Sequence, residues 1–431
     1  MLIYADAVIS VTPDPSQRLS AVGGGCCSTR MRRFGVEERR ARLGLRHHLA
    51  DTAKAGVVEA ARDLVGLHGT DPATVYLAAR ARMLDPRAEV VDQALYEDRT
   101  LVRILGMRRT MFVEPVELMG VVQAACTDAI AVGQRRLLVD MLGRAGLTDD
   151  PPAFVEEAEK LTLRALEARG GGATAAELAK DDPRLAQQIV LAEGKSYEGR
   201  QSVVSRILLV LAAEGRIVRG RPRGSWVSGQ YRWSLVEAWL PDGVPVWSLQ
   251  EAQVELVRRW LRGFGPATIA DVKWWTGLPM GQVRRAVAET GAVEVDLDGT
   301  PGLALADDLD PVPAPEPWAA LLPALDPTTM GWAGRDFYLG PHRAVLFDRN
   351  GNAGPAVWWD GRVVGGWAQR PSGELVLRLL TDVGADATAA IEAEAASLAD
   401  WLGPVRVTPR FRTPLERELV ASTTWTGADR E

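Results

Sequence analysis

"SVVSRILLVLAAEGRIVRGRPRGSWVSGQYRW", residues 202–233, holds a helix, its stop and two short strands in one run. Val204, Ile207, Leu208 and Leu211 recur at helical spacing and are predicted to bury one side. Gln201, Ser202, Ser205 and Arg206 are left for the other side, as on a helix that reads DNA, although any amphipathic helix has that look. Gly215 is the predicted C-cap. Beyond it, two strands flank the tip Arg219–Gly224, with Arg216, Arg219, Arg221 and Arg223 as candidate contacts. Guanidinium groups on a backbone loosened by glycine and extended by proline suit a narrow, electronegative minor groove. The plain alternative is a solvated hairpin that touches phosphates at most.

The outline helix–helix–helix–hairpin recurs on both sides. Upstream, Val57, Ala61, Leu64 and His68 line one helical face, and a second helix follows Pro72. "AEVVDQALYE" reads as a third helix, and "TLVRILGMRRTMFVEP" as strand, turn and strand with a basic tip at Arg108 and Arg109. Downstream, residues 251–299 repeat the pattern. The chain therefore reads as an α+β protein of three tandem winged-helix units at 29–150, 151–240 and 241–310. The acidic, proline-rich "DDLDPVPAPEP" is a linker. Turns at Asn350-Gly351, Asp360-Gly361 and Ser372-Gly373 mark hairpins. A helix near 384–402 and a last strand in "VRVTPRFRTP" complete the region 311–431, a linker with a small antiparallel, barrel-like β domain. Residues 1–28 lack any period and are expected to be a disordered extension, with Met31 as an alternative start.

The 431 residues argue for several domains, and 47% apolar content is ordinary for a globular protein. No uninterrupted run approaches the eighteen or so apolar residues of a membrane span, and no secretory signal is legible. Cys26, Cys27 and Cys126 form neither a disulfide framework nor a zinc spacing, which points to a reducing cytosol. With four histidines and no HExxH or CxxC, neither metal nor cofactor is expected. The net charge of −6 is unevenly spread. Seven arginines crowd 28–50 and seven more 200–232, whereas the charges of 291–317 are all acidic. A polyanion binder needs a basic face rather than a basic total. Trp274-Trp275 and Trp358-Trp359 offer base-stacking platforms, or simply core.

In "GLHGTDPATVYLAAR", residues 66–80, Asp71 before Pro72 reads as an N-cap and His68 as the end of an apolar stripe. Nothing in that reading demands catalysis. Yet "LVGLHGTDPATVYLAARARM", "LVRILGMRRTMFV", "GRPRGSWVSGQYRW", "FGPATIADVKWWTGL" and "LLPALDPTTMGW…LFDRNGNAGPAVWWDGRVVGGW" together resemble a bacterial winged-helix DNA-binding family. That family includes the AlkZ-like and YcaQ-like DNA glycosylases, and the likeness runs over roughly 32–415. It implies three winged helices and a β-barrel around a DNA channel, and removal of bulky alkylated purines, crosslinked ones included. The family's Gln-x-Gln or Gln-x-Asp motif falls on His68-Gly69-Thr70, so His68 and Thr70 stand at the catalytic positions, with Asp71 one residue out of register. The hairpin that probes the duplex matches Arg108 and Arg109.

Threonine is no base at neutral pH, whereas imidazole titrates near pH 6.5. An N7-alkylated guanine is cationic and already disposed to leave, so a positioned water and a stabilised sugar supply much of the catalysis. On this reading His68 activates or orients the water, Thr70 fixes it, and Asp71 orients His68 or stabilises the sugar. The expected partner is double-stranded DNA bound by a cytoplasmic monomer, with no membrane. The alternative is a non-catalytic DNA-binding protein of the same fold, a regulator or lesion-shielding factor. A third reading, a protein-assembly module, is separated by salt-dependent DNA binding.

Overall fold

Short polar caps and glycine stops divide the chain into four successive regions in a computed structural model that describes residues 31–191 and 199–422. The expected N-terminal extension 1–28 lies outside the described residues.

The first region comprises α1 (Val36–Arg46), α2 (Val57–Asp63), β1 (Leu67–His68), α3 (Pro72–Arg80), α4 (Ala88–Asp92), β2 (Leu101–Gly106) and β3 (Thr110–Pro115). The Asp-Pro start of α3 forms as read: Asp71 Oδ1 accepts from the Ala73 N–H at 3.2 Å, with Pro72 in the first turn. The strands pair antiparallel in the order β1-β3-β2. Then α5 (Val116–Val122) and α6 (Asp128–Arg144) run on through a π-helical turn. By length and composition this run is apolar enough to cross a membrane, at a mean hydropathy of 1.4, yet half of its apolar window is buried inside the molecule.

The second region holds α7 (Pro151–Arg169), α8 (Ala175–Leu178), α9 (Pro183–Ala186), the ladder β4 (Gln188–Leu191) with β5 (Gly199–Ser202), α10 (Val203–Ala213), the hairpin β6 (Ile217–Pro222) with β7 (Tyr231–Leu235), and α11 (Val236–Trp239). A capping box between Thr174 and Glu177 starts α8. Helix α10 buries Val204, Ile207, Leu208 and Leu211 as expected. It also buries Arg206, which is 1% exposed, so that residue does not belong to an outer, DNA-reading face. Gln201 and Ser202 end a strand instead of decorating the helix.

The third region is α12 (Leu249–Phe264), α13 (Ile269–Thr276), α14 (Met280–Glu289) and the hairpin β8 (Ala292–Leu297) with β9 (Thr300–Leu305). The fourth contains β10 (Ala319–Leu322), α15 (Asp336–Leu339), α16 (Arg343–Leu346), β11 (Ala356–Trp359), β12 (Arg362–Gln369), β13 (Leu375–Leu379), α17 (Ala385–Leu402) and α18 (Pro414–Ala421). Its sheet runs β10-β11-β12-β13, and among the described residues no ladder closes β13 onto β10. Helix α17 covers β10 and β11, and α18 covers β12 and β13. The predicted last strand is absent. Pro409 has no N–H to give, and the N–H groups of Val407 and Arg410 donate to the side chains of Gln369 and Asp71 at 2.8 and 3.0 Å. The run is therefore an irregular strap leading into α18.

One apolar core joins the first, third and fourth regions, with Phe112, Trp260, Phe264, Trp275, Trp332 and Trp358 in it; the second region centres on its own. Trp275 and Trp358 are thus packing residues, not stacking platforms. The first and fourth regions are also tied by a fully buried, two-pronged ion pair, Arg82 to Asp326 at 2.7 and 2.9 Å. Among the described residues of the basic stretch, most arginines are taken up by carboxylates of the same molecule. Arg33 meets Asp298 at 2.8 Å, and Arg42 and Arg46 meet Asp308 at 2.8 and 2.5 Å. The acidic stretch of the third hairpin and linker thus neutralises α1 and its approach.

Candidate active site

Strand β1 is only two residues long, and both are tied down. His68 lies opposite Phe112 of β3, ring centroid to ring centroid 5.6 Å. Gly69 donates its N–H to Met111 O at 2.7 Å and its own carbonyl accepts from Arg103 Nη1 at 2.9 Å. A Cβ at Gly69 would stand 3.0 Å from that guanidinium, a tight contact that the arginine would have to relax. Gly66, at φ 99°, turns the chain into the strand where a side chain would strike Glu114. The loop 68–71 is a rigid shelf rather than a free turn.

His68 lines a hollow of about 870 Å³ together with Thr70, Arg108, Arg109, Asp348, Arg349, Arg410, Arg412 and Arg417. The residue is 6% exposed and its Nδ1 is buried without a hydrogen-bond partner. Burial, and next the Arg108 charge, push its pKa down to about 3. The expectation of an imidazole titrating near neutrality is therefore overturned: His68 is neutral and only feebly basic. A second hollow of about 600 Å³ opens beyond Thr70, lined by Arg103, Met111, Gln201, Ser205, Leu208, Arg219, Arg223, Tyr231 and Trp233. Thr70 and Arg410 line both hollows.

Asp71 lies at the shelf's far end, where it lines a small space against Thr74, Trp367, Gln369 and Val407. Its Oδ2 accepts from the Arg410 N–H at 3.0 Å while Oδ1 holds the helix cap. Burial raises its pKa, opposed by those two N–H groups. No hydrogen bond joins it to His68, so the expected pairing of the two is not formed. The Arg410 guanidinium reaches Thr70 O at 3.4 Å.

The basic tip between β2 and β3 keeps Arg108 and Arg109 in left-handed backbone at φ 55° and 58°. Arg108 lies over the Trp274 ring, 4.0 Å from its centroid, and burial together with Arg335 pushes its pKa down to about 10. Trp274 is thus a bed for Arg108 and Arg335. Arg109 is exposed.

The other predicted arginines divide. Arg219 lies over Trp233 at 4.4 Å, its pKa pushed down to about 10 chiefly by burial, and it lines the second hollow with exposed Arg223. Arg221 instead pairs with Asp92 at 2.6 Å and Glu97 at 2.8 Å, fastening the hairpin to the first region. Arg216 is exposed and lines neither hollow. Gln201 and Ser205 line the second hollow, and the Ser202 hydroxyl is paired with that of Ser205 at 2.8 Å.

Sequence reasoning missed Arg103, Tyr231, Asp348, Arg349, Arg410, Arg412 and Arg417. One signal was present: Arg103 is a charge inside the otherwise apolar "LVRILG" of a fully buried strand. Another was the spacing of arginines in "RFRTPLER", hidden by reading that run as a strand.

A family model described as DNA glycosylase AlkZ-like matches residues 61–401. Among solved structures, the Streptomyces sahachiroi DNA glycosylase AlkZ is similar at a TM-score of 0.66 and 22% identity, over 87% of this chain and 98% of that one. At that identity the likeness speaks for fold alone. No curated protein matches the chain by sequence.

Proposed function

The chain belongs to the AlkZ-like DNA glycosylase family, a DNA-repair family, and from that premise we propose that it is a monofunctional glycosylase hydrolysing the N-glycosidic bond of alkylated purines, cationic or bulky, in duplex DNA. We read its first three regions as winged helices, since each ends three or more helices with an antiparallel hairpin. The protein acts as a monomer on this reading. One observation supports the proposal: the shelf 68–71, at the position of the family's catalytic motif but with His68 and Thr70 in place of its Gln and Gln or Asp, stands where two arginine-lined hollows meet. Arginines supplied by four separate stretches of chain suit the phosphates on either side of one nucleotide.

With His68 neutral, its part is to orient a water rather than to abstract a proton, and the Thr70 hydroxyl holds the same water. A cationic purine needs little more, because it departs without being protonated. Purified protein incubated with duplex carrying N7-methylguanine, and separately a bulkier N7 adduct, tests this. Release of free base is the expected result, strongly reduced in His68→Ala. No release above background, or full release by His68→Ala, overturns it. The weak basicity of His68 and the commitment of Asp71 to two backbone N–H groups favour a second reading, a DNA-binding protein without catalysis. Salt-dependent duplex binding with no base released from any adduct is its signature.

A further inference from the structure

We propose that Asp348 is a catalytic residue, its carboxylate facing the attacking water and the cationic sugar in the hollow that His68 lines. The inference rests on the glycosylase reading and adds the group that reading lacks. Among the described residues lining the two hollows, Asp348 is the one carboxylate, and it lines the larger one with His68, Arg108, Arg109 and Arg410. It sits half-buried in the turn between α16 and β11, a loop closed by the Phe347–Ala353 bridge.

The turn fixes the carboxylate in place. Oδ1 accepts from the N–H groups of Asn350 and Asn352 at 2.8 and 2.9 Å, and Oδ2 accepts from Asn352 Nδ2 at 2.9 Å. A carboxylate oxygen has two lone-pair sites, so Oδ2, with one donor, keeps one for water. A charge held by its own loop costs no reorganisation when the reaction occurs, the condition under which electrostatic stabilisation is largest. The other candidates fall short. His68 is neutral and feebly basic, Thr70 carries no base, and Asp71 lines neither hollow but a small separate space on the far side of the shelf.

The step balances without a further reactant. The C1′–N9 bond breaks and its electron pair passes into the N7-alkylated ring, which loses its positive charge and leaves as a neutral base. The water oxygen bonds to C1′, and the water's proton goes to Asp348 Oδ2 and then to solvent. Until that bond forms, the carboxylate offsets the oxocarbenium-like charge of the sugar.

Asp348→Asn keeps the Oδ1 acceptor and removes the charge. Single-turnover release of N7-methylguanine from duplex is expected to fall about 100-fold or more, with duplex affinity and melting midpoint unchanged. In Asp348→Ala, added formate is expected to restore part of the rate. If Asp348→Asn releases base within about three-fold of wild type, or if its loss merely tracks lost affinity or melting, the assignment is overturned and the glycosylase reading stands. Silence of the wild-type protein removes the glycosylase reading itself, and the proposal with it.

Discussion

His68 and Glu114 are neighbours in one small sheet, and burial drives their titrations in opposite directions. Desolvation penalises whichever form is charged, so it lowers a histidine and raises a glutamate. Glu114, at 0% exposure with neither carboxylate oxygen hydrogen-bonded, is held well above the ordinary glutamate value of 4.5. Its unfolded counterpart ionises first as pH rises, so the folded state loses stability upward from about pH 4.5. Replacing an unpartnered buried acid by an apolar side chain of similar length removes that penalty. Glu114→Met is therefore expected to stabilise the protein by roughly 1–3 kcal/mol at pH 8 and by less at pH 5. Urea unfolding at the two pH values decides it; an equal gain at both, or a loss, would show that the carboxyl has a partner. The same burial leaves Cys126 an inert thiol, its pKa pushed up to about 12. Neither effect was legible in the sequence, because burial is set by elements far away in the chain.

The hairpin of the second region shows how one element serves two purposes. Alternate arginines on β6 point to different partners: Arg221 pairs with Asp92 and Glu97, whereas Arg223, just beyond the strand, faces the second hollow. Arg223→Ala is expected to weaken duplex binding and to lower the salt slope of log K by about one. Arg221→Ala is expected to leave that slope unchanged and to cost roughly 0.2–1 kcal/mol of stability, the scale of exposed ion pairs. Salt titrations of both variants separate the roles; an equal fall in slope would mean that Arg221 also contacts phosphate. The helix ahead of this hairpin was readable because its apolar period and Gly215 act within a turn or two. The strap 405–413 was not, since what stopped it pairing as a strand was a distant acceptor, Asp71, 339 positions away. Arg206 failed for a related reason: a face that looks polar in a helical projection was covered by other elements.

Across the whole molecule the charge pattern divides differently from the sequence. Arg33, Arg42 and Arg46 meet acids of the third hairpin and linker, and among the described residues the cations lining the two hollows come from the first and second hairpins, the strap with the start of α18, and the turn at Asp348. Asp308→Asn is expected to destabilise the protein by about 2 kcal/mol or more, since Arg42, 1% exposed, loses a charged partner. Its duplex affinity and salt slope are expected to stay at the wild-type values. A marked rise in affinity would place α1 on the DNA and contradict this division. What the sequence determined by itself was local: helical periods, the Asp-Pro cap, the glycine stops and the basic tips, all of which act over a few residues. What only the tertiary structure decided was the destination of each charge, which arginines are spent on carboxylates, and that a buried, neutral His68 lines the same hollow as Asp348. Those outcomes depend on desolvation and on Coulomb distances between segments up to hundreds of residues apart, which no local pattern encodes.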